Sequence, residues 1–265
     1  MTPSLHLRSI QLRVHDLARS VDFYAKRLGF VVLSQKADRA ELGVSAQSSA
    51  LLFLVEDRHA PSAPADAAGL FHAALLIPSR GELGRWLPQA GDAGVSFTGF
   101  SDHGVSEAIY FSDPDGNGLE FYADRPPEQW PRESGAIAMT TLPLALPNLL
   151  SAAAALPPTE APLIGASWGH LHIRVTNLDR SEKFYSDALG VTLTQRYGTS
   201  ARFLAADDYH HHLGLNTWGQ PRRVFPSGAL GLAEATFSRA GFTGQRVEDP
   251  DGIALRLVPE TGEIR

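Results

Sequence analysis

Apolar and polar residues alternate in short runs along this chain, and one helical pattern interrupts each series of runs. The run SIQLRV alternates as a strand, and Val21, Tyr24 and Leu28 then recur at the spacing of one helical face. Asp16 can cap this helix and Gly29 can end it. Three strand-like runs follow, FVVLSQK, RAELGV and ALLFLVE. The pattern predicts a unit of one strand, one helix and three strands, or βαβββ.

The same unit is predicted four times. The second copy begins with the strand LFHAALLI and continues with a helix and three strands near 81–93, 95–100, 106–111 and 119–123. The third copy spans His170 to Trp218, and the fourth spans Gly231 to Val258. In the fourth copy the stretch FSRAGFTGQRVEDPDG is too short for a full helix, so we expect a reduced module.

The two halves of the chain also repeat each other directly. Residues 14–30 read VHDLARSVDFYAKRLGF, and residues 175–191 read VTNLDRSEKFYSDALGV. The turn motif DPDGNG at 113–118 returns as DPDG at 249–252, where Asp and Gly suit a tight turn. Such repetition indicates two related halves of two modules each.

The division into domains follows from this repeat and from the composition between the halves. The segment 126–164 is rich in proline and alanine and is predicted to be a linker with a short helix near Pro147 to Ala155. We therefore expect a first domain at 1–125 and a second domain at 165–265, each large enough to bury a core.

Composition excludes several classes of protein. A net charge of −6 argues against a nucleic-acid or membrane-surface binder, and no apolar run reaches the length of a membrane span. The absence of cysteine excludes disulfides, zinc–thiolate sites, iron–sulfur clusters and a thiol nucleophile. No secretory signal pattern begins the chain, so a cytoplasmic location is expected. Metal chemistry would have to use the ten histidines and carboxylates.

Strand alternation indicates which polar side chains share a cavity. In GHLHIRV the apolar residues alternate with His170 and His172, which therefore face the cavity, and His72 has a similar place in its own strand. In GLEFYA, Glu120 and Tyr122 alternate with packed apolar residues. These strands are predicted to line one polar cavity.

The run YHHHLGLN offers three further histidines. Leu213 and Leu215 are expected to pack, so the alternation turns His210 and His212 toward the cavity and His211 away from it.

The strings GLFHAALLIPSR, DHGVSEAIYFSDPDGNGLEFYADRP, GHLHIRV and YHHHLGLNTW carry a family resemblance. The chain resembles the vicinal oxygen chelate superfamily, and within it the catechol 2,3-dioxygenase (extradiol) proteins. The resemblance implies an α+β fold in which four βαβββ modules pair into two half-barrel sheets. It also implies a metal site of two histidines and one carboxylate that leaves positions open for substrate and O2.

In the family order, one sequential pair of modules supplies all three ligands. Here Arg256 stands where the last-strand carboxylate of the fourth module is expected, and Ser9 stands at the counterpart of His170. If the second module instead faces the third, the site receives His72, Glu120 and His170. The resemblance then implies Fe(II) at this triad, with Mn(II) as the other candidate.

The resemblance assigns further roles to residues of the same two modules. His103 and Tyr110 match the histidine and tyrosine beside the substrate oxygens, and His212 or His210 takes the place of the acid/base histidine. The implied reaction is extradiol cleavage of a small aromatic diol by O2. Neither nucleic acid nor membrane is an expected partner, and a homo-oligomer is left open.

Two other functions stay open within the superfamily. A glyoxalase-type metal-dependent isomerase or lyase would favour a fourth carboxylate ligand. A non-catalytic binding protein of the bleomycin-resistance type would need no metal triad.

Overall fold

The first module forms as its sequence pattern predicts. The structure is a computed structural model that describes residues 5–154, 156, 161 and 163–260. The Asp16 side chain caps the first helix by accepting the amide hydrogen of Arg19, and Gly29 follows the helix with a positive φ of 96°. The helix is α-helical in its first part and a π-helix over Asp22–Arg27. The elements are β1 (Leu5–Val14), α1 (Leu17–Val21), β2 (Val31–Gln35), β3 (Arg39–Gly43) and β4 (Leu52–Glu56).

The second module contains the complete βαβββ unit. Ser79 begins its helix by accepting a hydrogen bond from the amide of Glu82. The helix buries Trp86, whose indole nitrogen donates to the carbonyl of Leu28 in the first module. The elements are β5 (Gly69–Leu76), α2 (Arg80–Asp92), β6 (Phe97–Asp102), β7 (Ser106–Ser112) and β8 (Gly118–Asp124).

The segment between the halves contains more regular structure than the sequence predicts. A short 3-10 helix at Pro127–Gln129 precedes β9 (Arg132–Glu133), β10 (Ala136–Ile137), β11 (Leu142–Pro143) and the helix α3 (Leu146–Ala153). The helix expected near Pro147 is therefore present, while its expected end at Ala155 lies outside the described residues, as do 157–160 and Pro162. The domain boundaries at 125 and 165 stay a prediction. The first residues of the first domain, 1–4, and the last residues of the second domain, 261–265, also lie outside the described residues.

The third module is complete and the fourth is reduced. The third consists of β12 (Ser167–Arg174), α4 (Leu178–Leu189), β13 (Thr192–Tyr197), β14 (Ala201–Ala205) and β15 (Leu213–Asn216). The fourth consists of β16 (Gly231–Arg239), β17 (Gln245–Glu248) and β18 (Ala254–Val258), and no helix lies between these strands. The short connection between β16 and β17 accounts for the missing helix.

The modules pair across the two halves of the chain. The second and third modules form a nine-stranded sheet in the order β11-β6-β7-β8-β5-β12-β15-β14-β13. The first and fourth modules form a seven-stranded sheet in the order β17-β18-β16-β1-β4-β3-β2. The antiparallel pairs β5–β12 and β1–β16 join the modules. The predicted fold class, four modules in two half-barrel sheets with a reduced fourth, is confirmed, and the pairing is the swapped one.

The repeated turns connect each helix to the neighbouring module. The hydroxyl of Tyr24 in the first module donates to the buried carboxylate of Asp113 in the second, at 3.0 Å. Tyr185 in the third module donates to Asp249 in the fourth in the same way, at 2.9 Å. These two contacts tie modules that belong to different sheets, so the two sheets are held against each other at two equivalent places.

One apolar core joins both sheets and the helices. Leu12, Phe121, Ile173 and Leu255 come from four different modules, and all are essentially inaccessible to solvent. None of the helices in the described part of the chain has the length and apolar character required to cross a membrane.

Candidate functional site

Three polar side chains meet on adjacent strands of the nine-stranded sheet. Ala74 on β5 is in register with Glu120 on β8 on one side and with His170 on β12 on the other. His72 lies two residues before Ala74 and therefore faces the same side of β5. The small side chain of Ala74 leaves space between its neighbours, and the structure brings His72, Glu120 and His170 together there.

The geometry of these three residues suits a divalent metal ion. Nε2 of His72 lies 2.9 Å from Oε2 of Glu120, and Nε2 of His170 lies 3.4 Å from the same oxygen. One ligand atom from each residue lies within 4.8 Å of the other two, and all three residues are buried. His72 Nε2 makes no hydrogen bond in the described structure despite its proximity to Glu120. A buried nitrogen without a partner is costly unless a ligand satisfies it, so this donor set can hold a metal.

The charge on Glu120 is stabilised by its two neighbours. Burial raises the pKa of the Glu120 carboxyl, but the imidazoles of His170 and His72 lower it more, and the pKa lies well below its usual range. Burial lowers the pKa of His170, and the attraction of Glu120 only partly restores it. A neutral imidazole and an ionised carboxylate are the forms that bind metals.

His103 and Tyr110 form a hydrogen-bonded pair at the wall of the cavity. Nδ1 of His103 lies 2.7 Å from the carbonyl oxygen of Thr140, so this nitrogen carries the hydrogen in the neutral ring. Nε2 of His103 then accepts from the Tyr110 hydroxyl at 2.7 Å. Burial raises the pKa of Tyr110 well above its usual value, with Glu120 adding to the effect. Tyr110 therefore keeps its proton, which it donates to His103, and its oxygen can still accept a hydrogen bond.

The expected orientation of the three consecutive histidines is wrong. His211 lines the cavity and stacks near His170, with ring centroids 4.1 Å apart, whereas His210 and His212 do not line it. Strand alternation fails here because β15 begins only at Leu213 and the histidines lie in irregular chain before it. His212 instead accepts a hydrogen bond from the amide of Ala206, and burial lowers its pKa to about 3.

His210 connects His211 to a carboxylate behind the cavity. Nε2 of His210 donates to Oδ1 of Asp124 at 2.8 Å, so Nδ1 is the acceptor of the neutral ring. Nδ1 of His211 donates to Nδ1 of His210 at 2.8 Å. Tyr209 donates to the other oxygen of Asp124 at 2.9 Å. This series of hydrogen bonds leaves Nε2 of His211 as the unprotonated nitrogen and fixes the orientation of the His211 ring.

Close packing beside the ligands requires a glycine. The Tyr122 hydroxyl lies 2.9 Å from that of Tyr209, and its ring lies beside His170. A Cβ placed on Gly169 would lie only 1.8 Å from the Tyr122 oxygen. Glycine before His170 therefore lets the tyrosine ring reach its partner.

The rest of the cavity was not identified from the sequence. The cavity measures about 320 Å³, and His172, which strand alternation turned inward, lies in an aromatic wall of it. Tertiary contacts from distant segments bring the other members of the wall together, so no local pattern indicated them. The additional lining residues are Phe71, Ser101, Met139, Thr140, Thr141, Gln195, Tyr197, Phe203 and Trp218.

Comparison with known proteins gives consistent relatives. The family model of the glyoxalase/bleomycin resistance protein/dioxygenase superfamily matches residues 6–121 and 167–264. A protein of Bacillus subtilis (strain 168) named catechol-2,3-dioxygenase is 40% identical over 231 residues, which cover 86% of this chain and 80% of that protein.

Solved structures share the fold. A candidate dioxygenase from Bacillus subtilis aligns with a TM-score of 0.67 at 12% identity, over 99% of this chain and 87% of that one. Glyoxalase I from Zea mays aligns with a TM-score of 0.57 at 18% identity, over 97% of this chain and 93% of that one. At these identities the likeness concerns the fold alone.

Proposed function

We propose that this chain, which belongs to the glyoxalase/bleomycin resistance protein/dioxygenase superfamily, is an extradiol ring-cleaving dioxygenase for a catechol-type substrate. One observation carries the proposal: His72, Glu120 and His170 converge in the wall of a cavity, and Nε2 of His72 makes no hydrogen bond there. Two histidines and one carboxylate on one face are typical of non-haem Fe(II) oxygenases. The relative named catechol-2,3-dioxygenase supports the same class.

The residues present fit Fe(II) or Mn(II). When bound, the metal would supply open coordination positions for both catechol oxygens and O2 and a route for electron density between them. His72, Glu120 and His170 would hold it. The lowered pKa of Glu120 keeps the carboxylate ionised for this task.

Tyr110 and His103 would orient the substrate. The Tyr110 hydroxyl keeps its proton at neutral pH, and its ring centroid lies 5.6 Å from that of His72. Because this proton goes to His103, the Tyr110 oxygen would accept a hydrogen bond from a substrate hydroxyl. His103, held by the carbonyl of Thr140, fixes the direction of that hydroxyl.

His211 is our proposal for the group that takes and returns the substrate proton, in place of the earlier candidates His210 and His212. Its unprotonated Nε2 is the correct form for a base. His210 and Asp124 would hold the ring in that form, as a carboxylate orients a histidine in other acid/base sites. His212 would have only a structural role, because its hydrogen bond to Ala206 lies outside the cavity.

The test is reconstitution with Fe(II) in the absence of air, addition of catechol and then of oxygen. A yellow ring-cleavage product is expected, and Glu120→Gln should form none. Bound metal without colour on any catechol would support a glyoxalase-type isomerase or lyase instead. Absence of metal binding would support a binding protein of the bleomycin-resistance type.

A further inference from the structure

The cavity beyond the three ligands has a distinctive charge pattern. The lining residues in the described part of the chain include no lysine or arginine, and their one acidic residue is Glu120 itself. Arg125, a guanidinium of the same module, pairs with Asp102 and Glu107 instead. Among the described residues, a substrate carboxylate in this cavity would therefore have no lysine or arginine partner.

The balance of charge at the proposed metal ligands also disfavours a carboxylate on the substrate. A divalent ion with one carboxylate ligand keeps one positive charge, which a catechol mono-anion neutralises. A second anionic group on the substrate would remain uncompensated in a buried site. Burying an unpaired charge is strongly unfavourable.

One wall of the cavity is aromatic. Phe71 lies 5.2 Å from Trp218 and 5.1 Å from His172 between ring centroids, and Phe203 lies 5.8 Å from His172. Phe71 is 38% exposed despite its size, so part of its ring is free toward the cavity and its mouth. Such a wall offers apolar contact to a ring or alkyl group.

Another part of the cavity lining comes from the segment between the two halves. The Gln195 side chain holds Met139 by two hydrogen bonds, accepting from its amide at 2.7 Å and donating to its carbonyl at 3.0 Å. Met139 and the following threonines therefore stay over the cavity. Tyr197 also lines the cavity and is 47% exposed, so it borders solvent at the mouth.

Resting on the proposed function, we infer that the preferred substrate is an uncharged catechol with an apolar aryl or alkyl substituent. The substituent lies against Phe71 and Trp218, and the cavity excludes catechols that carry a carboxylate. Phe71 and Tyr197 are then specificity-determining residues at the mouth.

The experiment compares kcat/KM of the Fe(II)-loaded protein for catechol, a phenyl-substituted catechol and a matched pair, dihydroxyphenylacetate and its primary amide. The pair has nearly the same shape and differs in charge. We expect the amide to exceed the carboxylate by about 100-fold, and the phenyl compound to exceed catechol by about 10-fold. Equal values within the matched pair would overturn the inference.

Two variants locate the effect. Phe71→Ala should remove most of the gain from the phenyl group while catechol cleavage changes less. Tyr197→Arg should raise kcat/KM for the carboxylate by about 10-fold or more, because it supplies the missing cation. Tyr197→Leu is the matched control and should leave the preference for the amide intact.

Anaerobic titration calorimetry with the same pair separates this inference from the proposed function. Selective binding of the amide without ring cleavage would overturn the proposed function and retain the substrate class. Cleavage of both compounds at similar rates, with similar affinities, would retain the dioxygenase and overturn the substrate class.

Discussion

The two sheets of this molecule present the same three backbone positions with different side chains. In the seven-stranded sheet, Thr236 on β16 is in register with Ser9 on β1 and with Arg256 on β18. Glu234 lies two residues earlier on the same face. These positions correspond to Ala74 and its three polar neighbours in the nine-stranded sheet.

The chemistry at the second set of positions differs completely. Nε of Arg256 donates to one oxygen of Glu234 at 2.8 Å, and Nε of Arg246 donates to the other at 2.9 Å. Both carboxylate oxygens are therefore occupied, and Ser9 offers only a hydroxyl. The paired modules thus provide convergent positions in both sheets, and the residue types decide between a candidate metal site and an ion pair.

The largest expected difference between the sheets is in metal binding. Glu120→Gln, His72→Ala and His170→Ala should each lower metal affinity and turnover by at least about 100-fold, because each removes a ligand. The matched variant Glu234→Gln, in the seven-stranded sheet, should leave both metal affinity and turnover unchanged. Inductively coupled plasma mass spectrometry should find about one metal per chain in the wild type and in Glu234→Gln.

Two results would contradict this comparison. A ligand variant that keeps full metal content would remove that residue from the set. Loss of metal in Glu234→Gln, in a protein that still folds by circular dichroism, would mean that the seven-stranded sheet also contributes a site.

A second difference concerns the space beside the ligands. Gly169→Ala should destabilise the protein by up to about 3 kcal/mol, because the new methyl group collides with the buried Tyr122 ring. In the seven-stranded sheet, Arg8 precedes Ser9 as Gly169 precedes His170. Arg8→Ala should cost less than about 0.5 kcal/mol. Urea unfolding of both variants measures the difference, and equal costs would refute the packing argument.

The third and smallest difference is the response to acid, since the fully buried histidines all lie in the second and third modules among the described residues. Burial lowers the pKa of His212 in the folded protein from its usual value of 6.5 to about 3. Between these values the unfolded chain binds more protons, so stability falls as the pH falls from 6.5 toward 3. In His212→Asn, the decrease in the free energy of unfolding on going to about pH 5 should be smaller by about 2 kcal/mol.

The measurement is urea unfolding of the metal-free protein at about pH 5 and about pH 7.5. His59→Asn, in an exposed loop, is the control and should behave like the wild type. An unchanged pH dependence in His212→Asn would mean that this ring is not a source of acid sensitivity.

Much of the fold was predictable because it follows from the local spacing of apolar residues and from the internal repeat. The helix capped by Asp16, the strands around it and the loss of a helix from the fourth module all follow from short segments. The swapped pairing was predictable because the family resemblance implies a site of two histidines and one carboxylate, which Glu120 and His170 can complete and Arg256 and Ser9 cannot. The metal role of that triad stays a prediction.

The rest depends on contacts that no local pattern contains. His211 replaces His210 and His212 at the cavity because the chain leaves the strand conformation before β15. Met139 belongs to a proline-rich segment that reads as a connector, and only the side chain of Gln195, far along the chain, brings it to the cavity. Neither feature has a sequence period that could indicate it.

The swapped pairing has a consequence for how the protein is made. His72 and Glu120 leave the ribosome well before His170, and until β12 arrives the edge of β5 has no partner strand. An unpaired, apolar strand edge favours association with other chains. The nascent first half is therefore exposed to aggregation, and a metal at the proposed site could be loaded only after synthesis has passed the midpoint of the chain.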